Sequence, residues 1–225
     1  MTHSPPFHQF TFSKHRLEGL TDAIFAVAMT LLVIELKIPE TAHISSQAGL
    51  IDAIVHLGPK IVAWIISFFV LAQFWYGNSR LFYFVKHVDG KFSFYSLAYL
   101  GLVSLMPFSS ALVGEYQIIF FSQIFYAINL AAIALLAILQ SRYVYKHAAV
   151  GGTPGMPAVV YHGARFRNFG LVFLALLSIV LGNYVPGTGN IVFALMAILS
   201  PISRRREARE LAKLSAASTP ATSIQ

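Results

Sequence analysis

Residues Leu20 to Ile38 read LTDAIFAVAMTLLVIELKI. At about 1.5 Å of rise per residue, this almost wholly apolar run is long enough to cross a hydrocarbon layer of roughly 30 Å. It is a membrane-spanning helix, and the rest of the chain is arranged around it. Its polar content sets it apart from a plain anchor. Arg16 and Glu18 stand just before it, Thr21 and Asp22 occupy its first turns, Thr30 lies near its centre, and Glu35 and Lys37 close it.

Working outward, 56% of the 225 residues are hydrophobic against 11% charged, and the mean hydropathy is +0.67. A soluble domain carries about 25% charged residues, so the composition is that of an integral membrane protein. The formal charge of +7 comes from basic residues scattered between apolar runs rather than gathered on one soluble face. That pattern is the membrane form of basicity and not a nucleic-acid surface. With no cysteine in the chain, disulfides, thiolate metal sites and cysteine nucleophiles are excluded. The first residues, MTHSPPFHQFTFSKHR, lack the apolar core of a cleaved signal peptide.

Hydropathy predicts six spans. Residues 1–15 form a cytoplasmic lead-in, residues 16–206 the six-helix transmembrane domain, and residues 207–225 a cytoplasmic tail, Ser/Thr/Ala-rich towards its end. The first span ends at Pro39, and a short apolar piece at Leu50–Leu57 is too short to cross and reads as an interfacial or docking segment. The second span covers Ile61–Phe84. A third runs from after Lys91 to about Gly114, with Pro107 in its interior predicting a kink or break. The fourth covers Ile118–Leu139, with Gln123 and Asn129 as its polar members. A basic loop is expected over Ser141–Arg167, then two short spans at Phe169–Asn183 and Ile191–Ile202.

Six spans place both termini on one side, and fourteen of the sixteen lysines and arginines fall on that side, leaving Lys37 and Lys60 opposite. The positive-inside rule then puts both termini in the cytoplasm of a cell with this protein in its inner membrane.

Signatures of catalysis are absent: there is no H-E-x-x-H, G-x-x-x-x-G-K or G-x-S-x-G, and no G-x-G-x-x-G after a strand. The histidines fall in predicted loops or tails, and Asp89 and Glu115 in loops. The chain is not expected to be an enzyme or to need a cofactor. Coupled transport ordinarily places ionisable groups near the midplane, whereas the carboxylates inside a predicted span, Asp22 and Glu35, stand near its two ends. A passive pore needs less, namely a helix face turned to an axis and a ring of subunits. The filter sequence T-V-G-Y-G is absent.

Arg16-Leu-Glu-Gly-Leu20-Thr21-Asp22 resembles the R-x-x-x-F-S-D signature that opens the first helix of the transmembrane protein 175 potassium channels in their bacterial, six-span form. The resemblance extends through AIFAVAMTLLVIELKIP, through FWYGNSRLF at Phe74–Phe82, and through LMPFSSALVGEY at Leu105–Tyr116. Leu20 and Thr21 replace the signature's Phe and Ser, and Asn78-Ser79 stand where many relatives have histidines.

What the resemblance implies is an all-α membrane protein that assembles as a homotetramer in the lipid bilayer, with helix 1 of each subunit lining a pore for permeant K⁺. It implies apolar rings at Val27, Leu31 and Ile34, a hydroxyl at Thr30 that contributes to potassium preference, and a structural network of Arg16, Thr21, Asp22, Trp75 and Asn78. On a helical wheel Leu31 lies about 40° from Val27, Ile34 about 20° and Thr30 about 60° the other way, and Asp22 about 140° away. The first four share a face and Asp22 does not. The same spacing is what any packed membrane helix shows, and Thr30 is as readily read as bonding the carbonyl one turn back. The alternative function is a proton pathway or a proton-coupled small-solute transporter that uses Asp22 and Arg16.

Overall fold

The computed structural model describes residues 13–38, 46–152 and 155–185, with the single positions 192, 193, 195 and 209. Among the described residues every regular element is a helix: α1 Lys14–Ile34, α2 Gln47–His56, α3 Gly58–Phe84, α4 Gly90–Ser104, α5 Met106–Glu115, α6 Phe120–Lys146, α7 Ala148–Gly151 and α8 Ala158–Tyr184. Five stretches are long and apolar enough to cross a membrane: α1, α3, α4 with α5, α6, and α8. The sixth expected span, Ile191–Ile202, lies almost wholly outside the described residues.

Local chemistry starts the helices. Ser13, Ser46 and Asp89 cap α1, α2 and α4, their side-chain oxygens accepting from the N–H groups of Arg16, Gly49 and Phe92 at 3.3, 3.1 and 2.8 Å. Each satisfies one of the donors a helix start leaves open. Pro107 acts as expected: it stands in the first turn of α5, and Leu105 alone separates α5 from α4. The Leu105 N–H turns back to the Leu102 carbonyl at 3.2 Å, the tighter bond that closes a helix before proline.

The boundaries of α6 and α8 correct the sequence reading. Helix occupies both ends of the loop expected over Ser141–Arg167, because α6 runs on to Lys146 and α8 begins at Ala158, and the single turn of α7 stands between them. Both extensions keep a helical period of buried groups (Ser141 and Val144 on α6, Val160 and Tyr161 on α8), which hydropathy over a basic stretch does not register. Three histidines expected in loops or tails lie in helices instead: His15 in α1, His56 in α2 and His162 in α8. Glu115, also expected in a loop, is the last residue of α5 and pairs with Lys60 in the first turn of α3.

The helices alternate up and down. The start of α1, the end of α3, the start of α4, the end of α6 and the start of α8 meet in one apolar cluster containing Leu17, Phe82, Phe92, Val144 and Val160. The main core fills the middle of the bundle, where Phe25 and Leu32 of α1 pack with Phe74 of α3, Tyr99 of α4, Met106 of α5 and Tyr126 and Leu130 of α6. At the basic end the chain leaving α3 is tied to the turn after α6 by the Lys86 N–H donating to the Val150 carbonyl at 2.7 Å. Gly152, at φ +68°, completes that turn in the left-handed region, where a side chain is strained.

Candidate pore-lining face and its supporting network

Helix α1 has two faces of opposite character. Leu17, Thr21, Phe25, Ala28 and Leu32, spaced three or four residues apart, are buried against α3, α4 and α5. Phe25 lies against Tyr99, with ring centroids 6.0 Å apart, and Tyr99 in turn meets Phe74 edge-on at 6.4 Å. The other face carries Val27, Leu31 and Ile34, which are 55%, 41% and 54% exposed in the single subunit. A helix that fixes one face in its own bundle and leaves an apolar stripe uncovered keeps that stripe for lipid, another subunit or a conduit.

Thr30 is exposed beside this stripe. Its hydroxyl donates to the carbonyls of Ala26 at 3.0 Å and Val27 at 2.9 Å. The proton is thus spent on the helix, while the oxygen keeps lone pairs directed away from it. Leu31 also borders a cavity of about 600 Å³ at the end of the bundle opposite the basic cluster, shared with Glu35, Trp64, Pro107 and Phe108.

Of the five residues expected to form a structural network, the structure joins two directly. Trp75 Nε1 on α3 donates to Asp22 Oδ1 on α1 at 2.9 Å. That bond ties the first turns of α1 to the later part of α3 and turns the carboxylate towards its own subunit. Thr21 is buried and bonds within its helix, donating to the Leu17 carbonyl at 2.8 Å. Asn78 belongs to a separate group: its Nδ2 donates to Gln140 Oε1 at 3.3 Å, and Gln140 Nε2 to Ser96 Oγ at 3.4 Å, linking α3, α6 and α4. Arg16 is exposed and contributes its backbone N–H to the Ser13 cap; among the described residues it does not join the Asp22–Trp75 pair.

A polar column that the sequence did not reveal runs through the subunit interior. Ser67 of α3 bonds Ser110 of α5 at 2.8 Å and Tyr126 of α6 at 2.9 Å; Asn129 donates to Ser109 at 3.1 Å and Gln123 to Ser178 at 3.1 Å. Gln123 and Asn129 stood out as polar residues within an apolar span, but their partners lie on other helices and have no sequence signal. Gln140 and Ser96 gave no signal at all, since both sit where an apolar run passes into a basic one.

Residues 16–107 match the family described as "Endosomal/lysosomal potassium channel TMEM175". The potassium channel Cha6605_3372 of Chamaesiphon minutus is 33% identical over 134 residues, which is 60% of this chain and 65% of that one. The crystal structure of a lysosomal potassium-selective channel TMEM175 homologue from Chamaesiphon minutus superposes with a TM-score of 0.63 at 28% identity, covering 82% of this chain and 97% of that one. The endosomal/lysosomal proton channel TMEM175 of Danio rerio is 23% identical over 143 residues, 62% of this chain and 26% of that protein. The chain thus matches about two thirds of the length of the bacterial relative and a quarter of the vertebrate one.

Proposed function

We propose that the chain is a member of the TMEM175 family, whose model matches residues 16–107, and that it forms a passive, potassium-selective cation channel in which α1 of four identical subunits surrounds the pore. The observation that carries this reading is the uncovered apolar stripe of Val27, Leu31 and Ile34 on a helix whose opposite face is locked into its own bundle.

Around a four-fold axis, four Val27 side chains form a constriction without oxygen ligands, with further apolar rings at Leu31 and Ile34. An ion passes it with its water or sheds part of that water at a cost. Potassium holds its water less tightly than sodium, so a hydrophobic ring favours potassium without a cage of carbonyls. Thr30 presents its hydroxyl oxygen next to the ring and lowers the cost of partial dehydration. Valine is smaller than leucine, which makes the selectivity modest. The Asp22–Trp75 bond keeps the carboxylate out of the ion path and sets the angle of α1 on its bundle. The basic end of the bundle faces the cytoplasm of a bacterial inner membrane and carries both termini.

The test is flux from liposomes containing the purified protein, driven by a potassium gradient with valinomycin as the positive control, and repeated with sodium and with Val27→Ala. Potassium flux that exceeds sodium flux, with a preference that weakens in Val27→Ala, supports the reading. Absence of flux from folded tetramer contradicts it. A proton pathway through Asp22 is the second reading, favoured by the name of the vertebrate relative; it requires acidification under a proton gradient that Asp22→Asn abolishes.

A further inference from the structure

A cleft at the basic end of the bundle has no α1 residue in its lining. Its walls are α3 and α8 and its floor is α6, on which both helices pack. Arg80 of α3 and Arg167 and Asn168 of α8 line it, with Asn78, Gln140 and Ser141 below; no aspartate or glutamate is among its lining residues. The two guanidiniums stand in the last two turns of α3 and in the first half of α8, and they make the cleft lining cationic.

The floor of the cleft also presents an unfinished bond. Asn78 is 5% exposed, and its buried Oδ1 has no hydrogen-bond partner among the described residues. The amides of Asn78 and Gln140 can both be turned over, with the Tyr99 hydroxyl then donating to Asn78 Oδ1 in place of the Phe74 carbonyl. Ser96 Oγ then donates to Gln140, Gln140 Nε2 donates to Asn78, and the Asn78 –NH₂ becomes the group left to bond, since oxygen and nitrogen of an amide are assigned from the network. In that direction the cleft offers donors from Asn78 and Asn168 beside two cationic forks. Arg80 and Arg167 are each already engaged within the protein, but a guanidinium has five N–H donors and its fork matches the paired oxygens of a phosphate. The cavity holds about 50 Å³. At the ~10–15 Å³ that one water requires, this is room for roughly four oxygen-sized occupants, the oxygen count of one phosphate group.

We infer that this cleft binds a phosphate group, held by Arg80 and Arg167 with Asn168 and Asn78 as neutral donors, at the level where the headgroups of the basic-side leaflet lie. The chemistry is shared by an anionic lipid headgroup and a soluble phosphate. Basic pockets between membrane helices take lipid phosphates in the same way. The site stands on the cleft alone and does not require that the protein conduct potassium.

The experiment uses the purified full-length protein in lipid nanodiscs. Phosphatidylglycerol and phosphatidylcholine retained per subunit are counted by native mass spectrometry. Melting is followed in discs of phosphatidylcholine alone, with added phosphatidylglycerol, and with millimolar inorganic phosphate. The wild type is expected to retain phosphatidylglycerol over phosphatidylcholine, with several-fold less retained in Arg80→Gln and in Arg167→Gln. Asn168→Ala, which removes a donor without changing charge, should lower retention while its melting in pure phosphatidylcholine matches the wild type. Arg165→Gln, on the same helix but outside the cleft lining, should leave retention unchanged. A melting shift produced by inorganic phosphate in pure phosphatidylcholine, and lost in the two cleft arginine variants, assigns the same site to a soluble phosphate. Equal retention of the two lipids with no phosphate-dependent shift overturns the inference, as does a loss shared equally by Arg165→Gln.

Discussion

In the proposed tetramer a valine at position 27 would leave more room around the four-fold axis than leucine does, and the consequence can be measured at this one residue. Val27→Ala should raise potassium flux a few-fold and bring the potassium-to-sodium ratio closer to unity, read in the liposome assay. Thr30→Val should lower the ratio while leaving the tetramer intact, because the hydroxyl's donor bonds stay within its own helix, to Ala26 and Val27, and hold no other element. Trp75 and Asp22 make a different kind of statement. Trp75→Phe removes the donor and should cost about 1 kcal/mol of stability, a modest value for a bond to a charged group at an exposed site. Asp22→Asn keeps an acceptor oxygen and should cost less; the two are compared by thermal melting in the same detergent.

Helices, not residues, decide how α6 and α8 cross. A Cβ on Gly182 would lie 3.1 Å from Gln123 Cγ, and Gln123 is held by its bond to Ser178 on the same helix as the glycine. Gly182→Leu should therefore push the helices apart at a cost of about 1–3 kcal/mol, the range for overpacking. Gly170→Ala, whose Cβ meets nothing within 4 Å, serves as the control that should be neutral. At this scale the limits of reading the sequence are plain. Apolar runs located every described span, and Pro107 located the break between α4 and α5, because both signals are local. The ends of α6 and α8 were missed because Arg142, Lys146, Arg165 and Arg167 lowered hydropathy where the helical period of buried residues continued. The Asp22–Trp75 pairing was legible only as membership of a motif, and the separate grouping of Asn78 with Gln140 and Ser96 was not legible, since it depends on which helices become neighbours.

The described residues form a bundle with a basic end, and the apolar stripe that α1 leaves uncovered makes sense only in an assembly or against lipid. Native mass spectrometry should find four copies of the 24.8 kDa chain; a monomer that still conducts would remove the four-fold ring. The chain itself offers a direct probe, because it contains no cysteine. Val27→Cys therefore introduces the single thiol, and a positively charged thiol reagent can be applied while potassium flux is recorded from liposomes. If α1 lines the pore at this position, modification places positive charges in the constriction and flux falls towards the protein-free baseline. Undiminished potassium flux after stoichiometric modification of the introduced thiol would put position 27 outside the ion path and contradict the pore assigned to α1.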